Sequence, residues 1–502
     1  GETMILGVDV GTTAVKAVLL NGEGHIVGQG SHPHELRCPH AGWAEEDPED
    51  WWGGLIEATR AALSGHEASG LRAIGVSGMV PAIILLDPRG RVLRPSIQQN
   101  DARAMREIET LGQRFSSERL FAATGGTWNQ QVVGPKLLWI QRNEPGIWER
   151  VDRIIGSYEY IGYRLTSARY CEANWALESG LWDVHREDWI EELIDAVHIG
   201  RHQLAPIRRC SDLVGRVSRR AAAETGLPAG TPVIAGSADH IASILPSGST
   251  RAGHVVVKLG GAGDLLLTVD AFRPVRDLYI DHHCVPGLYV INGCMATSGS
   301  ILKWFARDFA AGRPFAELDQ EAASVAPGSD GMVTLPYFLG EKTPIHDPLA
   351  RGTLVGLTLS HRRPHVYRSL LEGVAFAFRH HVDVLRSAGH RIATISVVDG
   401  GSSSDLWCEI LASVLEHPLR RPQSAQIGSA LGVALVAGVS IGIWNWDNMA
   451  APHRTGDTFL PDTTAAATYR RLYAVYRQTY EQLRSLYPRL AGPEEGDRSL
   501  EG

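Results

Sequence analysis

Residues 4–10 make an apolar run that is cut by Gly11-Thr12-Thr13 and resumes as a strand pattern over residues 14–20. Two strands joined at a glycine predict a tight turn whose backbone N–H groups and hydroxyls can face an anion. Asp9 and Lys16 flank the turn, so it carries a carboxylate on one side and an ammonium on the other. Lys16 adds positive charge toward a phosphate. Asp9 suits hydrated Mg2+, which keeps several waters and takes one or two carboxylates. Taken alone, an ordinary β-turn with a surface aspartate would show the same residues. Asn21-Gly22-Glu23-Gly24 then turns the chain into a third strand, so the chain opens as a β-meander. Asp47-Pro48-Glu49-Asp50 supplies an N-cap, a proline at the first helical position and early acids, and Trp52, Leu55, Ile56, Thr59 and Leu63 follow at helical spacing.

Residues 73–77 and 82–87 read as further strands, and helical patterns begin near Asp101, Pro135 and Arg186. Near Gly230 the opening pattern recurs: a strand at 232–236, a turn at 237–239, a strand at 255–259, the loop Gly260-Gly261-Ala262-Gly263, and a strand at 264–269. Asp9 and Asp239 each end an apolar strand beside small residues, which predicts two related domains with a cleft between them. A chain of 502 residues has material for two cores. Beyond the recurrence, helices are expected at 364–387, 402–416, 428–438 and 464–487, with a strand at 392–398.

Composition narrows the function. Apolar residues make up 44% and charged residues 21%, as in ordinary globular proteins, and the net charge is −8 without a basic block. Nucleic acid and anionic membrane are therefore not expected as partners. No apolar run reaches the roughly 18 residues that cross a bilayer, and no charged and then apolar leader opens the chain. Six cysteines without a C-x-x-C pair fit free thiols, and a cytoplasmic location is expected.

Two more glycine-rich elements add to the first. Gly260-Gly261-Ala262-Gly263 joins two strands with almost no side chains, so a ligand could approach backbone amides; a tight hairpin is the plainer alternative. Asp399-Gly400-Gly401-Ser402-Ser403-Ser404-Asp405 is a strand end, a turn and a capped helix start, a setting in which phosphate or adenine meets backbone. Three such elements with two strand-end aspartates favour a nucleotide cleft over three unrelated loops.

Across nearly its whole length the chain resembles the FGGY carbohydrate kinases, within the actin-like, sugar-kinase ATPase superfamily. The carriers are Gly7-Val8-Asp9-Val10-Gly11-Thr12-Thr13, Gly42-Trp43-Ala44-Glu45-Glu46-Asp47-Pro48, Asn100-Asp101-Ala102-Arg103, Gly236-Ser237-Ala238-Asp239, Leu371-Glu372-Gly373-Val374-Ala375-Phe376 and Gly400-Gly401. The likeness is greatest to the xylulokinase branch. It implies an α/β fold of two ribonuclease H-like domains, residues 1–245 and 246–502, flanking a central cleft that closes on a sugar and Mg-ATP. It also implies Asp239 as catalytic base and Asp9 as the metal-side carboxylate. Gly11, Thr12, Thr13 and Lys16 would meet the β- and γ-phosphates, and Gly260, Gly261, Ala262 and Gly263 would form a second phosphate loop. Gly299, Lys303, Gly400, Gly401, Ser402 and Asp405 would surround the nucleotide, with the sugar near Met79, Val80, Pro81, Asn100, Asp101 and Asp239. A homodimer is compatible with the resemblance.

Two departures bear on the substrate. Gly261 stands where the family usually has a threonine, with Asp264 just after the loop, and Met79-Val80-Pro81 replaces the usual Gln-Met-His, with Gln99 in place of tryptophan. The resemblance implies phosphorylation of D-xylulose; the alternatives are another ketose, gluconate or a polyol such as erythritol, or a silent nucleotide- or sugar-binding sensor. Intact Asp9 and Asp239 argue against the sensor, and Gly261 argues for it.

Other features read as structural. His32, His34, Cys38 and His40 lack a zinc-ligand spacing and are expected at the surface. His380 and His381 are adjacent on a helix, so one is expected packed and one exposed. Of Trp51 and Trp52, at least one is expected in the core.

Overall fold

The apolar opening folds as a meander: β1 (Met4–Val10) turns at Gly11 into β2 (Ala14–Asn21), and β3 (Ile26–Pro33) pairs antiparallel with β2. The computed structural model describes residues 1–491. In α1 (Pro48–Ala62) the Asp47 side chain accepts from the Glu49 N–H, capping the helix ahead of Pro48. Trp51 and Trp52 are both buried on its inner face, and the Trp52 indole N–H donates to Glu224 at 2.8 Å. Next come β4 (Leu71–Gly78), parallel to β1, then β5 (Leu213–Arg216), β6 (Pro232–Ile234), β7 (Ser237–Ala238) and the single-turn helix α2 (Asp239–Ala242). The first sheet runs β5-β6-β4-β1-β2-β3, with β7 paired to the end of β4.

The second sheet starts at β8 (His254–Leu259) and β9 (Gly263–Val269), followed by β10 (Tyr279–His282) and β11 (Tyr289–Met295). Helices α3 (Gly299–Phe309) and α4 (Arg363–Ser387) lead to β12 (Thr394–Val398), α5 (Asp405–Leu415) and β13 (Leu419–Pro422). The described chain then adds α6 (Ser429–Ser440), β14 (Gly456–Phe459) and α7 (Thr463–Leu483). The sheet order is β10-β11-β9-β8-β12-β13-β14. Strand for strand, β3-β2-β1-β4-β6-β5 matches β11-β9-β8-β12-β13-β14 in order and in pairing direction. The two-domain, actin-like α/β fold is thus an internal duplication.

The duplication does not start where the sequence suggests. Residues 232–238 complete the first sheet, because β6 and β7 pair with β4. The strand corresponding to β1 is β8. Asp239 is therefore not the second domain's counterpart of Asp9 but lies beside it in the first, at the end of β7, and residues 237–239 are a two-residue strand and a helix start rather than a turn.

One segment also departs from a division of the packing at residue 245. Helix α6 lies against β1 and β4 and belongs to the first core, together with Met449 and Ala450. Its approach is set by glycine: a Cβ on Gly7 would stand 2.0 Å from the Ala430 carbonyl oxygen, and one on Gly75 2.5 Å from that of Val433.

Smaller expectations also shift. The helix expected near Arg186 is the turn of a hairpin, Trp182–Asp183 with Asp188–Trp189, because Asp183 caps the N–H groups of His185 and Arg186; the helix starts at Glu191. His380 and His381 are both buried, the latter held between Thr343 and the Ala377 carbonyl. Of the His/Cys group near residue 34, His34 pairs with Glu46 at 2.9 Å and His40 packs edge-on to Trp43. No described helix is long and apolar enough to cross a membrane.

Candidate active site

The pairing of β1, β4 and β7 brings two carboxylates together. Asp9 stands opposite Ser77 of β4, whose hydroxyl donates to Asp9 Oδ1 at 2.7 Å. Ser77 in turn stands opposite Ser237 of β7, two residues before Asp239. Burial and then the charge of Asp239 push Asp9 up to about 7, while Ser77, Lys16 and Lys258 pull against that rise. Two acids close enough for one to raise the other leave negative charge that Lys16 and Lys258 offset only in part, since Asp9 still rises. A divalent cation of the Mg2+ kind fits that donor set, with Asp9 as the carboxylate to hold it.

Asp239 is fixed from several sides. Its Oδ1 accepts from the His240 backbone N–H at 2.7 Å, and the Ser429 hydroxyl at the start of α6 donates to its carbonyl at 2.8 Å. The His240 ring lies between two acids: Nδ1 is 3.4 Å from Asp239 Oδ1, and Nε2 is 2.7 Å from Asp281 Oδ2 on β10. Burial disfavours the imidazolium, but Asp239 and Asp281 outweigh it and hold His240 well above its usual range. Glu178 completes a cluster with His240 and Asp281, their ligand atoms within 4.8 Å of one another, and burial followed by the Asp281 charge pushes the Glu178 carboxyl well above the usual carboxylate range. No local motif pointed to His240, Glu178 or Asp281; they meet only because the first domain faces β10.

The first loop is tight at Gly11, whose N–H donates to the Ala14 carbonyl at 2.9 Å, and it presents Thr12, Thr13 and Lys16 at the surface. Lys16 stands opposite Asp9 in the β1/β2 register. The second loop is stapled to the start of α3: the Gly299 N–H donates to the Gly260 carbonyl and the Ser298 N–H to that of Gly261, both at 2.8 Å. A Cβ on Gly299 would sit 2.9 Å from the Gly260 oxygen. At the third element a Cβ on Gly401 would lie 2.5 Å from the Trp407 ring, so glycine lets β12 turn tightly over α5.

The second and third of these elements enclose a cavity of about 380 Å3, the size of a small-ligand site. Gly260, Gly261, Gly299, Lys303, Gly400 and Gly401 all lie in its wall. Ala262, Gly263, Ser402 and Asp405, expected beside them, do not: Gly263 is in β9, the Ser402 hydroxyl is spent on the Asp399 carbonyl, and Asp405 pairs with Arg421 at 2.8 Å. The wall instead includes Phe315, Asp319, Tyr367, Ser403, Ser404 and Trp407. Aromatic faces beside a carboxylate and paired hydroxyls fit a purine nucleoside. Ser403 and Ser404 belong to the third glycine-rich element, whereas Phe315, Asp319 and Tyr367 gave no sequence signal.

Around the expected sugar loop, Met79, Val80 and Pro81 are buried, and the Met79 sulfur accepts from the Thr12 hydroxyl at 3.6 Å. Asn100 is exposed beside Gly42 and Trp43. Asp101 is fully buried, accepting from the Ala44 N–H at 2.7 Å and ion-paired to Arg103 at 2.7 Å, so its carboxylate braces this loop rather than facing a ligand. Arg103 also stacks over Trp43. Lys136 extends the brace, its ammonium donating to the carbonyls of Gln98 and Gln99.

Duplicated ribonuclease H-like domains with paired acids at their junction and a nucleotide-sized cavity define an ATP-dependent sugar kinase. The family models for the N-terminal and C-terminal domains of the FGGY family of carbohydrate kinases match residues 4–246 and 265–441, and the chain belongs to that family. It is similar to the xylulose kinase of Escherichia coli K12, 29% identical over 492 residues that cover 97% of this chain and 99% of the relative. Among solved structures it is similar to the xylulose kinase from Rhodospirillum rubrum, with 43% identity, a TM-score of 0.90 and coverage of 96% and 99% of the two chains. A xylulose kinase from Brucella ovis gives 31%, 0.89, 96% and 100%. The gluconokinase of Bacillus subtilis is 25% identical over 514 residues, covering 98% of both chains.

Proposed function

We propose that the chain transfers the γ-phosphoryl group of Mg-ATP to a hydroxyl of D-xylulose. The observation that carries the chemistry is the approach of Asp9, on β1, and Asp239, at the start of α2, to each other across β4, beside two glycine loops and the nucleotide-sized cavity. Full-length similarity to xylulose kinases supports the sugar. Asp239 accepts the proton of the attacking hydroxyl, and His240 and Ser429 hold it in place. Asp9 holds Mg2+, which when bound neutralises phosphate charge. Thr12, Thr13, Lys16 and the Gly260–Gly261 amides position the phosphates, and the cavity holds the nucleoside. Phosphoryl transfer needs this positioning and charge compensation and little covalent work from the protein.

A second reading, phosphorylation of another ketose, gluconate or a polyol, is favoured by Met79-Val80-Pro81, whose apolar side chains offer no hydrogen bond to a sugar hydroxyl. ADP release measured over a panel of ketoses, aldonates and polyols tests both. The highest kcat/KM is expected for D-xylulose, and a preference of tenfold or more for another substrate overturns the assignment.

A further inference from the structure

The duplicated sheets place one rung of opposite charge in each domain, with the signs exchanged. Asp9 on β1 stands opposite Lys16 on β2, and at the corresponding place Lys258 on β8 stands opposite Asp264 on β9. Each rung immediately precedes its glycine loop. Lys258 lies on the face of the second sheet turned toward the first domain, since Val256 on the same side packs into the first core while Val255, Val257 and Leu259 enter the second. Its ammonium crosses the junction and donates to Ser243 Oγ at 3.1 Å. Ser243 caps the helix that Asp239 begins, its own N–H donating to the Asp239 carbonyl. Burial opposes the charge on Lys258, but Asp399, Asp264, Asp239 and Asp9 together raise it above the ordinary lysine range. The second loop, Gly260-Gly261-Ala262, carries no side-chain donor.

We propose that Lys258 is the cation the second domain contributes to the transferring phosphoryl group, supplying by charge the stabilisation that a side-chain donor in the second loop would supply by hydrogen bonding. The proposal rests on the kinase reading. As the sugar oxygen bonds to the γ-phosphorus, the bond from that phosphorus to the bridging oxygen breaks. The hydroxyl proton goes to Asp239, the electron pair leaves on ADP, and Lys258 keeps its proton throughout. A fixed positive charge aimed at the equatorial oxygens lowers the barrier because negative charge gathers there.

The plainer alternative is that Lys258 only neutralises Asp264. Three variants separate the two: Lys258→Met, Lys258→Arg, and the double variant Lys258→Met with Asp264→Leu, which removes both charges of the rung. Lys258→Met should lower kcat about 100-fold or more while KM for the sugar moves less than about threefold. Lys258→Arg should recover part of the loss. The double variant should stay as slow as Lys258→Met although it leaves no unpaired charge on the rung. Return of the double variant to near-parent kcat overturns the proposal, as does a Lys258→Met enzyme within about threefold of the parent. Affinity for Mg·ADP with aluminium fluoride, a mimic of the phosphoryl group in flight, gives a readout independent of turnover. Lys258→Met should weaken it at least tenfold more than it weakens Mg·ADP, and equal losses overturn the proposal. If the parent turns over no sugar, the kinase reading fails, and the aluminium fluoride comparison still decides the role of Lys258.

Discussion

The thiol of Cys210, just before β5 in the first domain, lies 3.0 Å from that of Cys284, just after β10 in the second. Both are free and buried, and Cys284 also reaches the hydroxyl of Ser237, two residues before Asp239. Burial, and then the neighbouring thiol, push Cys210 well above its usual range, which slows its reaction while the domains stay together. Alkylation of this pair should therefore report cleft opening. Saturating sugar with a non-hydrolysable ATP analogue should slow it at least severalfold, followed by mass spectrometry of the two peptides. Equal rates with and without ligands would mean that the cleft does not close on them.

Replacing Asp239 by Asn removes the proton acceptor with almost no change in volume. Sugar-dependent ATP turnover should fall by about 10²–10⁴-fold, while Mg-ATP affinity and melting temperature stay near the parent's. Turnover within tenfold of the parent would remove Asp239 from the role of base.

Glu159 offers a pH test away from the cleft. It is fully buried; Oε2 accepts the Glu172 N–H at 3.0 Å and Oε1 has no partner. Burial pushes its carboxyl up to about 8. A folded value above the unfolded one means that the neutral form favours the fold. Its contribution is complete below the ordinary carboxylate range and is lost as pH rises through about 8. Glu159→Gln stays neutral, so its unfolding free energy, followed by denaturant melts, should match the parent's near pH 5 and exceed it near pH 9, by an amount on the order of 1–3 kcal/mol. A difference that is flat with pH would refute the buried neutral acid.

Gly432 on α6 is the tightest contact behind the base. A Cβ there would stand 1.8 Å from the carbonyl oxygen of Ala242, the last residue of the helix that Asp239 begins. Backbone cannot yield as a side chain can, so Gly432→Ala should cost about 1–3 kcal/mol and displace Asp239. The expected kinetic result is a loss of kcat of at least about tenfold in the fraction that remains folded. A fully active variant with parental stability would mean that α2 is free to move.

Local patterns carried the sequence as far as local physics reaches. The β1 turn, the capped α1 and the glycine loops were legible because an apolar run, a cap and a glycine announce themselves within a few residues. Asp239 was identified as a site residue, yet the recurrence near Gly230 made it the second half's counterpart of Asp9, since pairing of β6 and β7 with β4 joins segments some 160 residues apart and leaves no local trace. Asp101 read as a sugar-site residue because its long-range partner, the Ala44 N–H, becomes visible only when the loop folds back, and nothing local says that Arg103, two residues on, turns to pair with it. Lys258 showed no motif at all. Its meaning comes from strand register, which appears once the two sheets are superposed in the mind's eye.

Helix α6 has a consequence for how the chain is made. The strands it covers leave the ribosome well ahead of α6, which spans residues 429–440. Until then the nascent first domain carries β1 and β4 with one apolar face bare, although domains ordinarily fold in the order of their synthesis. Most of the second domain must be made before the first is finished. A chain released before residue 428 would lack not only the end of the second domain but the inner layer of the first.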